Sequence, residues 1–389
     1  MLQKIAQTEA VGKVVDGHAS GLGPDQLNVY RTAGIMTDHE CTTAEEALER
    51  VRRGFYVQIR EGSVARNVEK VSRAITESNA HRFLFCTDDK HLDDLVAEGG
   101  IDYNIRMAIK QGVKPETAYA VASLHAAEAY GLNDIGAIAP GKKANFVILS
   151  DVQSVKIETV YVNGEVVARE GKATFEANGI EVPKPMKGEL RLPALTSESF
   201  RLPVKEEAVD VIQVLPNSLL TKRERLVFSP DESGADLDQD IATLAVIERH
   251  HGTGHMALAP VTGFGLKRGA LAATVAHDSH NLVIAGVSPN DMLLAAETLE
   301  KVGGGVVAVS EGEVLAVLPL EIGGLMTKRP YAEVADVLEQ LNDALDVVGA
   351  HRHFNPYLTM SFLALPVIPD LKLTDMGLFD VTTFSFIES

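Results

Sequence analysis

The chain has 389 residues, enough for two or three domains of about 150 residues each. Hydrophobic residues make up 46% and charged residues 23%, as in globular proteins with more than one core. The net charge of −18 repels phosphate backbones, so we expect no nucleic-acid partner. Two cysteines exclude a disulfide framework and fit the reducing cytoplasm. Without a signal peptide or an apolar run approaching the roughly 20 residues of a membrane span, we expect a cytoplasmic protein with no membrane partner.

Residues 1–139 alternate short apolar runs with segments of helical spacing. The runs are VGKVVDGH, AGIMTDHE, YVQIREGS and FLFCTDD. Thr43, followed three residues later by Glu46, predicts a helix start with a capping box, and Pro115 opens a helix that ends at Gly131. Strand and helix in repeated alternation predict βαβ units and a parallel sheet.

Residues 140–175 read as a small all-β unit. Asn163-Gly164 lies between two valine-rich runs and predicts a type I′ hairpin turn. Residues 176–205 lack a regular period and contain several prolines, which favours a linker: Pro183, Pro185, Pro193 and Pro203.

Residues 206–389 predict a further unit that mixes strands and helices. IATLAVIERH and LAATVAHD are typical of strands, whereas NDMLLAAETLEKVGG and YAEVADVLEQLNDALDVVG carry apolar residues at helical spacing. Glu311-Gly312 predicts a hairpin turn between two apolar runs. The unit is therefore expected to be of the α+β class.

Polar residues end three of the predicted strands, in the sequences DGH, TDHE and CTDD. Their His18, His39 and Asp88 would meet at the carboxyl edge of a parallel sheet, where active sites of α/β folds lie. Two imidazoles and a carboxylate are ligands for one divalent transition metal, which would activate a water molecule. Asp88 could also carry a proton from that water to a leaving group. Each residue taken alone is also compatible with an ordinary polar loop.

Two further clusters have two readings each. Arg60-Glu61 ends the third predicted strand and could orient a polar substrate or form an ion pair at the rim. His277-Asp278-Ser279-His280 could be a metal or acid–base cluster, or a hydrogen-bonded turn. The pairs His250-His251 and His351/His353 favour surface histidines.

Several stretches resemble the bacterial adenine deaminases, a family of the amidohydrolase superfamily. They are VDGHASGLG, IREGSVARN, LFCTDD, GAIAPGKKANFVILSD, GFGLKRGALAATVAHDSHN and LPVIPDLKLT. The resemblance implies a (β/α)8 barrel, a small β-sandwich and an α+β C-terminal domain. It implies hydrolysis of adenine to hypoxanthine and ammonia by a metal-activated hydroxide in purine salvage. Manganese or iron would be the metal, with zinc as an alternative.

The resemblance also assigns roles to individual residues. His18 and His39 would be metal ligands after barrel strands five and six, and Asp88 would be a ligand and the general acid–base after strand eight. The substrate-binding candidates come instead from the two polar clusters above: Arg60, Glu61, His277, Asp278 and His280. The last three would face the barrel opening of the same or a neighbouring subunit, in a homo-oligomer.

Two features of the superfamily have no counterpart in this sequence: the His-x-His pair after barrel strand one and the bridging carboxylate after strand four. We therefore expect the C-terminal part of an adenine deaminase, with barrel strands five to eight in residues 1–139. Such a chain would be incomplete for catalysis unless a partner chain supplied the other barrel half. The alternative is an inactive remnant with only a structural or association role.

Overall fold

The computed structural model describes residues 2–176, 181–183, 186–203, 208–227 and 235–387. The chain divides into two units, Met1–Asn178 and Gly179–Ser389. Among the described residues, none of the helices combines the length and the apolar content that a membrane span requires.

A parallel three-stranded sheet lies at the centre of the first unit, with the second strand in the middle. The strands are β1 (Thr37–Asp38), β2 (Tyr56–Arg60) and β3 (Phe83–Cys86). The helices around this sheet are α1 (Leu2–Ala10), α2 (Pro24–Thr32), α3 (Ala44–Arg52), α4 (Val68–Val71), α5 (Leu92–Glu98), α6 (Ile101–Lys110), α7 (Pro115–Ala122) and α8 (Leu124–Ala129). Val57 and Phe83 are fully buried in a core shared by β2, β3, α3, α6 and α7. The predicted parallel α/β arrangement is thus confirmed.

Two predicted helix starts are confirmed. The hydroxyl of Thr43 accepts the amide N–H of Glu46 at 3.2 Å and caps α3. Pro115 opens α7, but the helix does not run on to Gly131 as predicted. Ser123 leaves the helical conformation and donates its hydroxyl to the Tyr119 carbonyl, which separates α7 from α8.

The first predicted strand, VGKVVDGH, is wrong, since residues 13–19 are not assigned to a strand. Val15 accepts one hydrogen bond from the Met36 amide at 2.9 Å, short of the repeated bonds of a ladder. The Asp16 carboxylate accepts the Gly17 amide and the Thr37 hydroxyl. Loop and side-chain contacts therefore hold this segment beside β1.

A four-stranded antiparallel sheet follows in the first unit. Its strands in order are β4 (Phe146–Asp151), β5 (Lys156–Val162), β6 (Glu165–Arg169) and β7 (Lys172–Ala173). Asn163 and Gly164 have φ values of 52° and 83°, which a type I′ turn requires at both central positions. The predicted hairpin is confirmed.

An eight-stranded sheet dominates the described part of the second unit. Its strands are β8 (Val209–Val214), β9 (Thr221–Leu226), β10 (Ile241–Ile247), β11 (Met256–Thr262), β12 (Ala270–Ala273), β13 (Leu282–Gly286), β14 (Gly305–Ser310) and β15 (Glu313–Pro319). They lie in the order β15-β14-β12-β13-β10-β11-β8-β9, and neighbouring strands are antiparallel, except that β8 runs parallel to β11.

The helices of the second unit confirm its predicted α+β character. They are α9 (Pro289–Val302), α10 (Tyr331–Val348) and α11 (Pro356–Phe362). The chain closes with a small antiparallel sheet of β16 (Leu371–Thr374), β17 (Gly377–Asp380) and β18 (Ser385–Phe386). Glu311 and Gly312, at φ 55° and 78°, form the predicted hairpin turn between β14 and β15.

Part of the predicted linker contributes to a core. A 3₁₀ helix forms at Ser197–Phe200, and Phe200 is fully buried with Leu190 in the core of the second unit. This portion is therefore packed rather than extended through solvent. Residues 177–180, 184–185 and 204–207, also within or beside that predicted linker, lie outside the described residues.

Lys372 in β16 is fully buried, and its Nζ donates to the Leu219 carbonyl oxygen at 3.1 Å. Burial lowers the pKa of Lys372 to about 7. Because an unfolded lysine has a pKa of about 10.4, the unfolded chain binds more protons than the folded chain between these two values. The free energy of unfolding therefore rises with pH across this window, by roughly 5 kcal/mol. Below about pH 7 the lysine is charged in both states, and the full cost of burying the charge remains.

We expect Lys372→Met to remove this dependence and to stabilise the chain at neutral pH. Methionine has a similar volume and carries no charge to desolvate. Urea unfolding at about pH 7 and about pH 10 measures the difference for wild type and variant. Lys222→Met, at an exposed position of β9, is the control and should leave the pH slope unchanged. A Lys372→Met slope equal to that of wild type would contradict the argument.

Candidate metal centre and active site

His18, His39 and Glu40 come together in the first unit. Each offers one ligand atom, and these atoms all lie within 4.8 Å of one another. The two imidazole rings meet edge to face, with centroids 4.6 Å apart. His39 and Glu40 directly follow β1, whereas His18 lies on the loop beside that strand. Within the described residues, no other group of histidine, cysteine and carboxylate side chains has this geometry.

The third member of this cluster, Glu40, was not among the candidates from the sequence. Its Oε1 lies 3.4 Å from Nδ1 of His18, and its Oε2 accepts the Ser20 amide at 2.8 Å. The carboxylate therefore joins the two segments that carry the histidines. The available signal was its position next to His39 in the sequence TDHE, directly after a strand.

The donor set suits a divalent metal. Imidazole nitrogens bind zinc and iron, and carboxylate oxygens bind manganese as well. The side chain of His18 is 74% exposed, so an ion from solvent can reach the cluster. Two nitrogens and one oxygen supply three protein ligands, which leaves room for water or substrate. The residues present thus fit one divalent ion.

Asp88 lies outside this cluster, at the end of β3. Its Oδ2 accepts Nη1 of Arg60 at 3.0 Å, and its Oδ1 accepts the Asp89 amide at 2.9 Å. Its backbone is left-handed, with φ of 57°, unusual for a residue other than glycine. The structure thus gives Asp88 an ion-pair partner, Arg60, that is 7% exposed. Its role as a metal ligand and acid–base stays a prediction.

Among the described contacts, Arg60 and Glu61 do not pair with each other, so the alternative of an Arg–Glu ion pair at the rim is wrong. Successive side chains of an extended segment point to opposite sides, and Glu61 turns away from Asp88. Its Oε2 accepts the Val68 amide at 2.9 Å, at the start of α4. Burial raises the pKa of the Glu61 carboxyl. These contacts favour a structural role for Glu61, and its contact with substrate stays a prediction.

The loop after β3 is hydrogen-bonded to the loop after β2. The Glu61 amide donates to the Cys86 carbonyl at 3.1 Å, and the Ser63 amide donates to the Asp89 carbonyl at 2.9 Å. Between these bonds, a Cβ on Gly62 would lie 2.6 Å from the Asp89 carbonyl oxygen. Only glycine lets the two backbones approach so closely.

We expect Gly62→Ala to shift the loop that carries Asp88. The new methyl group meets backbone atoms that cannot rotate away, and such overpacking costs about 1–3 kcal/mol. Thermal unfolding measures the loss of stability. The kcat of the deamination that the resemblance implies should also fall, because Asp88 moves. At Gly23 the nearest atom to an added Cβ is 3.8 Å away, so Gly23→Ala is the control. An unchanged unfolding temperature and kcat for Gly62→Ala would contradict this account.

The cluster predicted from His277, Asp278 and His280 lies in the second unit. The His277 ring stacks on Phe362 with centroids 4.5 Å apart. Nδ1 of His280 accepts the Ala276 amide at 3.2 Å, and burial lowers the pKa of His280. These contacts agree with a hydrogen-bonded turn. A role in binding a purine stays a prediction.

Each of the two units matches the profile of a known protein family. Residues 1–167 match the Amidohydrolase family profile, and residues 218–385 match the Adenine deaminase C-terminal domain profile. The adenine deaminase of Bacillus pumilus is 47% identical over 392 residues, covering 100% of this chain and 68% of the relative.

The chain belongs to the adenine deaminase family.

Two other members of the family match this chain to a similar extent. The adenine deaminases of Geobacillus kaustophilus and Bacillus subtilis are 47% and 44% identical, again over 100% of this chain and 68% of their own length. Among solved structures, an N-acetyl-D-glucosamine-6-phosphate deacetylase from Mycobacterium smegmatis is 20% identical to this chain, with a TM-score of 0.36. The aligned region covers 43% of this chain and 51% of the deacetylase. That overlap is low, so the family assignment rests on the sequence matches.

Proposed function

We propose that this chain catalyses the hydrolytic deamination of adenine to hypoxanthine and ammonia, slowly by itself because its sequence lacks the His-x-His pair and the bridging carboxylate of the superfamily. The carrying observation is the cluster of His18, His39 and Glu40 in a chain that matches adenine deaminases over its whole length. The donor set suits a metal-dependent hydrolase. Such an enzyme can replace the amino group of an aromatic ring by a hydroxyl group that comes from water.

His18, His39 and Glu40 would hold the divalent ion. When bound, it supplies a Lewis acid that lowers the pKa of water to near neutrality, and manganese or iron fits this donor set. The chain's own residues keep the donor atoms together: the Glu40 carboxylate binds both the His18 ring and the Ser20 amide.

Asp88 would move the proton. In the balanced reaction, a new C6–O bond replaces the C6–N bond, and the amino group leaves as ammonia. A free Oδ lone pair of Asp88 takes one proton from the attacking water and passes it to the exocyclic nitrogen of adenine. Arg60 orients the carboxylate through the contact of 3.0 Å between Nη1 and Oδ2.

Conversion of adenine to hypoxanthine tests the proposal. We propose long incubations at high protein concentration with added Mn²⁺, followed by chromatographic quantification of hypoxanthine and assay of ammonia. The same preparation of Asp88→Asn serves as the blank for contaminating activity. The proposal expects equal amounts of the two products from wild type and far less from the variant. Equal yields from both proteins, or no hypoxanthine from wild type, would overturn it.

A further inference from the structure

One buried ion pair joins the two backbone segments that carry His18 and His39. Asp38 is fully buried at the end of β1, and Arg50 of α3 is 4% exposed. Oδ2 of Asp38 accepts Nε of Arg50 at 2.9 Å. The mechanism above assigns no step to either residue.

The second carboxylate oxygen of Asp38 binds two backbone amides. Oδ1 accepts the amide of Ala19, the residue after His18, and the amide of Glu40, the residue after His39, both at 3.1 Å. One oxygen atom therefore connects the chain next to both histidines.

Arg50 completes the connection. Its Nη2 donates to the Ala19 carbonyl oxygen at 2.7 Å, so the ion pair binds Ala19 through both its N–H and its C=O. Nη1 of Arg50 donates to the Glu46 carbonyl at 3.4 Å, within the same helix. Since residues 13–19 lack the ladder of a strand, these bonds take its place in holding His18 beside β1.

We propose that Asp38 and Arg50 are positioning residues that set the spacing of His18, His39 and Glu40 and thereby the affinity for the divalent ion. This inference rests on the proposed function for its metal. Residues that orient metal ligands without touching the ion typically change metal affinity by about 10–100-fold when replaced. Asp38→Asn keeps the shape of the side chain, but its amide nitrogen cannot accept a backbone N–H or the Arg50 guanidinium.

The second unit offers a matched control. Oδ1 of Asp380 likewise accepts two backbone amides, those of Thr382 and Thr383, and its Oδ2 pairs with Arg223 at 3.2 Å. Asp380→Asn therefore breaks the same kind of contacts in the unit that does not contain His18 and His39. Arg50→Lys is a milder second variant, which keeps the charge but lacks the forked donors that contact Asp38 and Ala19 together.

Two measurements on the full 389-residue chain test the inference. The first is Mn²⁺ affinity by equilibrium dialysis with metal analysis. The second is hydrogen exchange of peptides that cover residues 17–22, without metal. We expect Asp38→Asn to weaken Mn²⁺ binding by about 10–100-fold and to speed exchange of this segment, with Arg50→Lys intermediate. Asp380→Asn should change neither quantity.

The outcomes separate this inference from the metal proposal. Faster exchange in Asp38→Asn, with no Mn²⁺ bound even by wild type, would overturn the metal site and leave the positioning role supported. Unchanged exchange, or unchanged Mn²⁺ affinity where wild type binds the ion, would overturn the positioning role. If Asp38→Asn does not fold, the same criteria apply to Arg50→Lys.

Discussion

Replacing Asp88 by asparagine is expected to lower the kcat for adenine deamination by roughly 10²–10⁴-fold, the usual effect of losing a general acid–base. Asparagine keeps the shape of the side chain and one oxygen that can accept Nη1 of Arg60, but it cannot take a proton from water at neutral pH. Bound metal should fall much less than the rate, because His18, His39 and Glu40 remain. Initial rates of hypoxanthine formation and metal analysis of the same protein measure both quantities.

Asp89→Asn is the matched control for this change. Asp89 is the next carboxylate in the same loop, and its amide already binds Oδ1 of Asp88. We expect a milder loss, since Arg60 orients the Asp88 carboxylate and the proposed proton transfer uses that group. Equal losses at both positions would show that Asp88 is the wrong aspartate. A loss of metal as large as the loss of rate would make Asp88 chiefly a ligand.

Replacing His39 by alanine is expected to lower Mn²⁺ affinity by more than about 100-fold. Replacing a residue that only orients the ligands typically lowers metal affinity by about 10–100-fold. The variant removes one of three clustered donors, and alanine offers no atom to replace the ring nitrogen. Activity should fall with the metal and should recover partly at high Mn²⁺ concentration. Equilibrium dialysis and the hypoxanthine assay measure the two effects.

His81→Ala is the control for His39→Ala. His81 is an exposed histidine of the same unit and lies outside the cluster. It should leave Mn²⁺ affinity and the rate unchanged. Similar losses in both variants would point to nonspecific binding by surface histidines.

Local patterns predicted the elements of the fold well. Thr43 caps α3, Asn163-Gly164 makes the hairpin of β5 and β6, and the apolar run before Asp88 became β3. Of the run before His39, only Thr37–Asp38 forms a strand, β1. In each case, neighbouring residues alone determine the conformation through a cap, a left-handed turn or burial. The run before His18 has the same apolar character but is not a strand, because strand formation requires a partner that offers repeated hydrogen bonds.

The parts of the site that sequence reasoning missed depend on contacts between distant residues. Asp38 reads as one more polar residue at a strand end, yet its partner Arg50 and the amide of Ala19 come from other segments. Arg60 and Glu61 are adjacent and oppositely charged, which suggested a pair. The alternation of an extended chain instead sends Arg60 to Asp88 and Glu61 to the Val68 amide.

The central claim is that adenine deamination depends on a divalent ion held by His18, His39 and Glu40. The most direct test is to remove metal with EDTA, measure hypoxanthine formation, and then restore Mn²⁺ in steps while measuring the metal bound. The account predicts that the rate disappears with the metal and returns in proportion to it, saturating at one ion per chain. Undiminished hypoxanthine formation by protein shown to contain no metal would contradict the account.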